Sequence, residues 1–286
     1  MKALLFGANG QLGKELIATC PEYVLLRYCD SSQADFTRPE TIARWVEAEN
    51  CQTIINAAAY TAVDRAENDR EKAFCINHHA VATLAELSLK YNIFLVHVST
   101  DFVFNGRNYK PYSTKDSPDP VSLYGLSKYE GEKAISEILG NQALMIRTAW
   151  LYSKYGKNFV KTMLNAMESK ESLSVIDEQI GTPTWARGLA RAIWRALDQH
   201  ITGIVHWTDA GVASWYDFAV AIQEEALGLG LLSRKIPIRP VKTESFPTPA
   251  ARPFYSVLDK HDFWDALGLC PYHWREQLRS MLQELP

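Results

Sequence analysis

The chain has 286 residues, of which 47% are hydrophobic and 22% are charged, a balance typical of a globular protein with a sizeable core. Its net charge of −3 provides no basic field for nucleic acid or an anionic membrane. Its apolar runs are too short for a signal peptide or a transmembrane helix. Five scattered cysteines, with no CxxC pair or Cys/His cluster, do not indicate zinc and fit a cytoplasmic protein with reduced thiols.

Short apolar runs alternate with helical patterns through the first 150 residues. The predicted strands are 2–6, 23–29, 53–58, 93–98 and 143–147, and the predicted helices are 11–19, 39–49, 71–91 and 123–138. This alternation predicts an α/β fold with a Rossmann-like, doubly wound parallel sheet. Ligands bind such sheets beyond the carboxyl ends of the strands, and the residues that follow predicted strands include Gly7, Asp30, Tyr60, Thr100 and Trp150.

The loop after the first strand has the pattern Gly7-x-x-Gly10-x-x-Gly13 and leads into a helix. Gly7 permits a tight turn, Gly10 lets the backbone approach a pyrophosphate, and Gly13 lets the helix pack closely on the strand. The pattern predicts a dinucleotide site, although a glycine turn in any strand-to-helix unit would share it. Asp30 could hold the adenosine ribose, whereas Arg27 could meet a 2′-phosphate, so the choice between NADH and NADPH stays open.

Tyr124 and Lys128 lie four residues apart on a predicted helix and therefore share one face. A lysine ammonium beside the phenol would lower the tyrosine pKa from about 10. The tyrosine could then protonate a carbonyl oxygen as hydride reaches the carbon, while Thr100 hydrogen-bonds the same oxygen. Tyr129 and Lys133 have the same spacing, but Tyr129 lies well off the Tyr124 face, so this second pair is assigned to the surface.

The alternation loosens after about residue 150. Helical patterns cover 159–167, 186–197, 215–226 and 274–285, 203–207 is a predicted strand, and the proline-rich stretch 233–252 is predicted as extended chain or loop. We interpret residues 1–150 as an NAD(P)-binding domain that also takes back part of 184–206, and residues 151–286 as a smaller C-terminal α/β substrate lobe. Buried packing is the interpretation of His97 and of four tryptophans of the second lobe: Trp185, Trp194, Trp207 and Trp215.

Longer motifs surround the candidate residues. The chain resembles the extended short-chain dehydrogenase/reductases, and within them the dTDP-4-dehydrorhamnose reductase family, in Asn56-Ala57-Ala58-Ala59-Tyr60-Thr61, Ser99-Thr100-Asp101-Phe102-Val103-Phe104 and Tyr124-Gly125-x-x-Lys128. Further matching stretches are 147–152, 158–163, 177–184 and 252–253. The resemblance covers nearly the whole chain and weakens after Pro253.

The resemblance implies NAD(P)H-dependent reduction of the C4 keto group of a nucleotide-activated 6-deoxyhexose, by default dTDP-4-dehydro-L-rhamnose to dTDP-L-rhamnose. It implies that Thr100, Tyr124 and Lys128 are catalytic. The implied contacts of the cofactor, NADPH or NADH, are Gly7, Gly10, Gln11, Leu12, Gly13, Asp30, Asp35, Phe36, Ala58, Ala59, Tyr60, Thr61, Tyr124 and Lys128.

The same resemblance implies that the dTDP-sugar substrate meets Thr100, Asp101, Trp150 and Arg252. Arg252 is the candidate for the substrate pyrophosphate, because a guanidinium can grip phosphate oxygens bidentately. Both assignments have structural alternatives. Trp150 could pack in the core, and Arg252 could be an ion-pair partner.

Two departures from the family pattern and two alternative functions stay open. The second strand ends Arg27-Tyr28-Cys29-Asp30, which weakens the assignment of the ribose-binding acid. Phe102 stands where the family usually has tyrosine. Some members form homodimers through a magnesium ion held by carboxylates; Glu15 matches one such position, but the others cannot be placed, so Mg²⁺ is not predicted and a homodimer stays possible. Another nucleotide-sugar reductase, epimerase or dehydratase is one alternative, although dehydratases typically carry Asp-Glu where this chain has Asp101-Phe102. A non-catalytic subunit resembling the methionine adenosyltransferase beta subunit is the other.

Overall fold

The structure, a computed structural model, describes residues 1–270 and 272–286. The strands of its first half are β1 (Lys2–Phe6), β2 (Leu25–Cys29), β3 (Thr53–Asn56), β4 (Phe94–Thr100) and β5 (Ala143–Thr148). The helices between them are α1 (Gln11–Ala18), α2 (Pro39–Glu49), α3 (Val63–Ala66), α4 (Arg70–Phe74), α5 (Ala80–Tyr91) and α6 (Leu123–Leu139). A π-helical turn, Cys75–His79, joins α4 to α5, and a short 3₁₀ turn, Asp101–Val103, follows β4.

The second half contains shorter strands. They are β6 (Leu151–Tyr152), β7 (Leu173–Ile176), β8 (Ile180–Gly181), β9 (Thr184–Trp185), β10 (Gly203–His206), β11 (Ala213–Ser214) and β12 (Ile238–Val241). The helices of this half are α7 (Phe159–Ser169), α8 (Ala186–Asp198), α9 (Trp215–Gly228), α10 (His261–Leu267) and α11 (Trp274–Leu282). None of the helices in the described ranges is long and apolar enough to cross a membrane.

Six parallel strands form the central sheet, in the order β10-β5-β4-β3-β1-β2. Its inner strands are buried and mostly apolar, because helices cover both faces of a parallel sheet. One core lies between the sheet and α1 and α8, and a second core lies on the opposite face under α2, α5 and α6. The predicted Rossmann-like, doubly wound fold is therefore confirmed.

The C-terminal part packs its own core around α7, α9 and α11, with Phe218 at its centre. Its strands pair only two at a time: β11 with β8, β12 with β7, and β6 with β9. In contrast, α8 packs against α1, and β10 extends the central sheet beside β5. The chain thus leaves the central sheet after β5, forms β6 to β9 and α7 in the C-terminal part, and returns to the sheet with α8 and β10.

Two sequence interpretations need correction. The single predicted helix 71–91 is interrupted, because the π-helical turn inserts a wider loop of backbone between α4 and α5. Trp194 and Trp207 pack in the core of the central sheet, whereas Trp185 and Trp215 pack in the second lobe as predicted. The first pair lies in or next to α8 and β10, so its burial follows the return of the chain to the sheet.

Candidate active site

Two cavities lie beyond the carboxyl ends of the central strands. The larger encloses about 600 Å³ and the smaller about 450 Å³, and both are lined by Asn9, Gly10, Ala57 and Ala59. These residues follow β1 and β3, the point at which the strand order reverses direction along the sheet. A cleft at such a reversal is where doubly wound sheets bind their ligands.

The shared wall of the cavities suits a pyrophosphate. Gly7 has a φ of +87° and a Cβ there would lie 2.6 Å from the Ala58 nitrogen, so only glycine fits. Gly10 stands at the N-cap of α1 without a side chain, which leaves the first-turn N–H groups facing the cleft. Gly13 packs against the loop, where a Cβ would meet the Gly7 oxygen at 2.2 Å. Gly13 therefore shapes the loop and does not line either cavity.

The smaller cavity carries both acidic and basic groups. Asp30 accepts hydrogen bonds from Ser32 and from Asn9, and these lower the pKa of its carboxyl group. Asp35 and Lys72 line the same cavity. Arg27, which could have met a 2′-phosphate, instead pairs with Glu49 and is absent from this lining. Lys72, which the sequence did not single out, is the basic residue placed there.

Helix α6 presents Tyr124 and Lys128 to the larger cavity, together with Thr100 at the end of β4. The helix begins under two constraints: the Ser122 hydroxyl accepts from the Gly125 N–H at 3.1 Å, and Glu67 accepts from the Leu123 N–H at 2.9 Å. These caps fix the first turn, on which Tyr124 lies. Glu67 was not predicted as a functional residue, because it lies 56 residues from the amide that it caps.

The second tyrosine–lysine pair lies elsewhere. Tyr129 packs beside a small cluster around Phe104 and Tyr112, and Lys133 pairs with Glu130 at 2.7 Å. Neither Tyr129 nor Lys133 lines the larger cavity. One turn of helix thus separates a cavity pair from a surface pair with identical spacing.

The Tyr124 phenol is in a drier setting than the sequence suggested. Its ring packs edge-on against Phe102, with 5.6 Å between ring centroids. Burial raises the pKa of Tyr124 to about 12, and a hydrogen bond with Thr100 only partly opposes the shift. The expected lowering by Lys128 is wrong for this structure, because burial dominates and the lysine bonds elsewhere. Tyr124 is therefore held in its protonated form.

Lys128 is 1% exposed, and its Nζ lies against β4 of the central sheet. Its Nζ donates to the Val98 carbonyl at 2.7 Å and lies 3.1 Å from His97 Nε2. Burial lowers the pKa of Lys128 to about 8, and the nearby Glu132 carboxylate opposes this. His97, predicted as packing, is hydrogen-bonded in the core as expected, but it also touches the candidate catalytic lysine.

Thr100 and Asp101 form the floor of the cavity beside Tyr124. The Thr100 hydroxyl donates to Asp101 Oδ1 at 3.1 Å and accepts from the Phe102 N–H at 3.2 Å. Burial raises the pKa of Asp101 to about 6, against hydrogen bonds from Ser256 and Thr100. Ser99 and Thr148 also line the cavity, but their hydroxyls are buried and make no hydrogen bond in the described part of the chain.

The far end of the larger cavity is formed by the C-terminal lobe. Trp150 and Trp215 stack with 3.6 Å between their centroids and both line the cavity. Arg252 lines the larger cavity and a third one of about 280 Å³, which also contains Phe159 and Phe246. Its guanidinium is bound bidentately by Asp64, at 3.0 and 2.8 Å. Arg252 is thus both an ion-pair partner and a cavity residue.

The structure gathers most of the predicted site residues into the two cavities. The larger is lined by Gly10, Gln11, Leu12, Ala59, Thr61, Thr100, Asp101, Tyr124, Lys128, Trp150 and Arg252. The smaller is lined by Gly7, Gly10, Asp30, Asp35, Phe36, Ala58 and Ala59. Tyr60 is outside both linings; its N–H donates to Asn77 and its hydroxyl to Asp69. Lys157 and Trp215 line the larger cavity without having been predicted.

Glu15 does not fit a magnesium ion. Its carboxylate is fully buried, with one oxygen accepting from the Ser153 hydroxyl at 2.7 Å and the other from Arg187 at 2.9 Å. Arg187 also binds Glu284 through both terminal nitrogens. A guanidinium therefore occupies the place between the two carboxylates, and residues 1–270 and 272–286 contain no group of three potential metal ligands.

Comparisons with known proteins agree over the full length. The family model of the RmlD substrate binding domain matches residues 1–286. A dTDP-4-dehydrorhamnose reductase of Burkholderia thailandensis is 38% identical over 299 residues, covering 100% of this chain and 99% of that protein. One of Escherichia coli K12 is 37% identical over 294 residues, covering 100% and 98%. The crystal structure of the Bacillus anthracis reductase in complex with NADP has a TM-score of 0.93 at 35% identity, with 99% of each chain covered.

Proposed function

The chain belongs to the RmlD substrate binding domain family, and from that premise we propose that it reduces dTDP-4-dehydro-L-rhamnose to dTDP-L-rhamnose with NADPH or NADH. The observation that carries this proposal is the shared cavity of Thr100, Tyr124 and Lys128, which adjoins a glycine-lined dinucleotide cleft. Relatives of matching length are named dTDP-4-dehydrorhamnose reductase. Since nucleotide sugars and NADPH are cytoplasmic metabolites, the proposed reaction takes place there.

When bound, the dihydronicotinamide would supply a hydride to the C4 carbonyl carbon of the sugar. Tyr124 is the residue that would deliver the proton to the carbonyl oxygen. The phenol is protonated before the reaction, which is the form that a general acid needs, although burial raises its pKa to about 12 and so makes it a weaker acid in the unliganded protein. Thr100 lies beside the same space, where its hydroxyl can orient the carbonyl.

The smaller cavity would hold the adenosine part of the cofactor. Asp30 suits the two free hydroxyls of an NADH ribose, whereas Lys72 supplies positive charge for the 2′-phosphate of NADPH. The NADP-bound Bacillus anthracis structure supports the second cofactor. We therefore expect this protein to use both cofactors.

The neighbourhood of Asp101 argues against a dehydratase. Removal of water needs an acid and a base beside the sugar, and the position after Asp101 is Phe102, whose ring covers Tyr124. A dehydratase would also keep NAD through its cycle. Purified protein should therefore lack the absorbance of a bound nicotinamide cofactor.

The decisive assay follows NADPH and NADH oxidation at 340 nm with dTDP-4-dehydrorhamnose, and identifies the product sugar by NMR. We expect turnover with both cofactors and a product with the L-rhamno configuration. A product with the opposite configuration at C4 would mean that the protein is a reductase that makes a different 6-deoxy sugar. Absence of turnover with either cofactor would overturn the proposal. The homodimer that the family resemblance allows is tested separately, by light scattering of the purified protein.

A further inference from the structure

A series of buried, hydrogen-bonded groups runs beneath the candidate active site, from Ala58 in the loop after β3 to Lys128 of α6. Asn56 ends β3 and lies beside His97 of β4 in the sheet register. The Ala58 N–H donates to Asn56 Oδ1 at 3.1 Å, and Asn56 Nδ2 lies 3.0 Å from His97 Nδ1. His97 Nε2 then lies 3.1 Å from Lys128 Nζ. Asn56 and His97 are fully buried.

The direction of these hydrogen bonds follows from the backbone. Because Asn56 Oδ1 accepts the Ala58 N–H, its Nδ2 amide group must face His97 and donate to Nδ1. Nδ1 is therefore an acceptor. Burial holds the pKa of His97 well below its usual range, and a charge on Lys128 would lower it further, so the ring is neutral whether Lys128 is charged or not. A neutral imidazole with a free Nδ1 lone pair carries its proton on Nε2.

This tautomer decides what Lys128 can be. The His97 Nε2–H points at Lys128 Nζ, and an ammonium has no lone pair to accept it. A neutral amine can accept this hydrogen and still donate to the Val98 carbonyl at 2.7 Å. A charged Lys128 in the same place would set two donors against each other. The observed contacts therefore match the uncharged lysine.

Other charges near Lys128 are already shared. Glu132, one turn along α6, is held bidentately by Arg147 of β5 at 2.9 and 2.6 Å, and both are 2% exposed. The titratable groups of the cavity that Lys128 lines are Asp101, Tyr124, Lys157 and Arg252. On the sheet side, the groups that touch Lys128 Nζ are His97 and the Val98 carbonyl. His97 is thus the titratable partner in direct contact.

We propose that His97, fixed by Asn56, is a positioning residue that stores Lys128 as a neutral amine docked on β4, and that protonation frees its Nζ for the cavity beside Tyr124. In the docked state the lysine cannot serve the phenol or a ribose hydroxyl. In the released state it can do both. The docking itself is independent of the reaction, whereas its catalytic consequence rests on the proposed reductase function.

The docked state is tested first in the ligand-free wild-type protein. Nitrogen-15 NMR of the histidine side chains, recorded between about pH 6 and pH 10, reports the tautomer of each neutral ring. We expect His97 to be protonated on Nε2 and its Nε2 signal to shift as Lys128 titrates near pH 8. Protonation on Nδ1 throughout this range would refute the proposal, and this measurement needs no variant.

Asn56→Asp should reverse the direction of the hydrogen bonds from residue 56 through His97 to Lys128, because the Asp side chain has almost the same shape as Asn. A carboxylate at this position can accept hydrogen bonds from both the Ala58 N–H and the His97 Nδ1–H. His97 Nε2 is then left as an acceptor. An ammonium would then be favoured at Lys128. We expect the alkaline limb of the pH profile of kcat/KM to move up by about one pH unit or more. An unmoved limb together with an unchanged tautomer would contradict the proposal.

Gln223→Glu is the matched control. Gln223 is also a buried amide, bonded to the Ile236 N–H at 2.8 Å and the Ile236 carbonyl at 3.1 Å, in the C-terminal lobe. It should lower stability without moving the limb or the His97 signals. If the protein reduces no dTDP-sugar, the NMR result still decides the docking. If it does reduce one but the Asn56→Asp limb stays in place, the positioning role fails while the reductase function stands.

Discussion

The two ends of the larger cavity are built on different principles. At the chemical end, Tyr124 and Lys128 are fixed on a capped helix and packed onto the central sheet, with Lys128 only 1% exposed. At the other end, Arg252 lies on a loop of the C-terminal lobe with 23% of its side chain exposed, held by Asp64 of the first domain. The first end is dry and fixed, which suits proton transfer. The second is wet and ion-paired, which suits a charged ligand that must enter and leave.

Tyr124→Phe tests the dry end and should have the largest effect. Loss of the phenol removes the proton donor, so kcat should fall by about two to four orders of magnitude. Steady-state kinetics with saturating NADPH measure the change. Tyr129→Phe, on the same helix but outside the cavity, should keep near wild-type kcat. Equal losses in both variants would show that the helix and not the hydroxyl was affected.

Arg187→Met tests a contact outside the cavity, where one guanidinium binds Glu15 of α1 and Glu284 near the C-terminus. Without the guanidinium, the buried Glu15 carboxylate keeps only the Ser153 hydroxyl, so the free energy of unfolding should fall by about 3 kcal/mol. Urea unfolding measures this, and Arg191→Met, an exposed arginine of the same helix, should cost less than about 0.5 kcal/mol. Neither Mg²⁺ nor EDTA should change wild-type stability. Strong stabilisation by Mg²⁺ would mean that Glu15 does bind metal.

Arg252→Met tests the wet end. A guanidinium that grips the substrate pyrophosphate should contribute to binding, so the KM for the dTDP-sugar should rise by about tenfold or more, with a smaller change in kcat. Asp64→Asn weakens the ion pair but leaves the guanidinium. Its KM should change by less than about threefold. A larger rise in Asp64→Asn than in Arg252→Met would assign the ion pair a structural role only.

The smallest effects are expected in the smaller cavity, where Asp30 should favour NADH and Lys72 should favour NADPH. Asp30→Asn should lower kcat/KM for NADH relative to NADPH, and Lys72→Met should do the reverse, each by about three- to fivefold because both groups are solvent-screened. The two cofactors are compared at equal ionic strength. Shifts of the same sign in both variants would remove Lys72 from the phosphate site.

The sequence predicted what depends on local order. The carboxyl ends of parallel strands meet at one edge of a sheet, so Gly7, Asp30 and Thr100 could be placed at that edge from the sequence alone. The contact of His97 with Lys128 spans 31 residues, and that of Asp64 with Arg252 spans 188. Such pairs depend on how helices and loops settle on the sheet. The pKa of Tyr124 was expected to fall and is raised instead, because helical spacing says nothing about burial.

The π-helical turn between α4 and α5 has a consequence for how this protein could have changed in evolution. Asn77 of that turn bonds both the N–H and the carbonyl of Tyr60 and the Ser127 hydroxyl. A π turn contains one residue more than the α-helical turn it replaces. Deletion of one residue would restore a regular helix but rotate Asn77 by about 100° relative to α5. A single-codon loss would thereby cut the link that Asn77 makes between Tyr60 in the loop after β3 and Ser127 of α6.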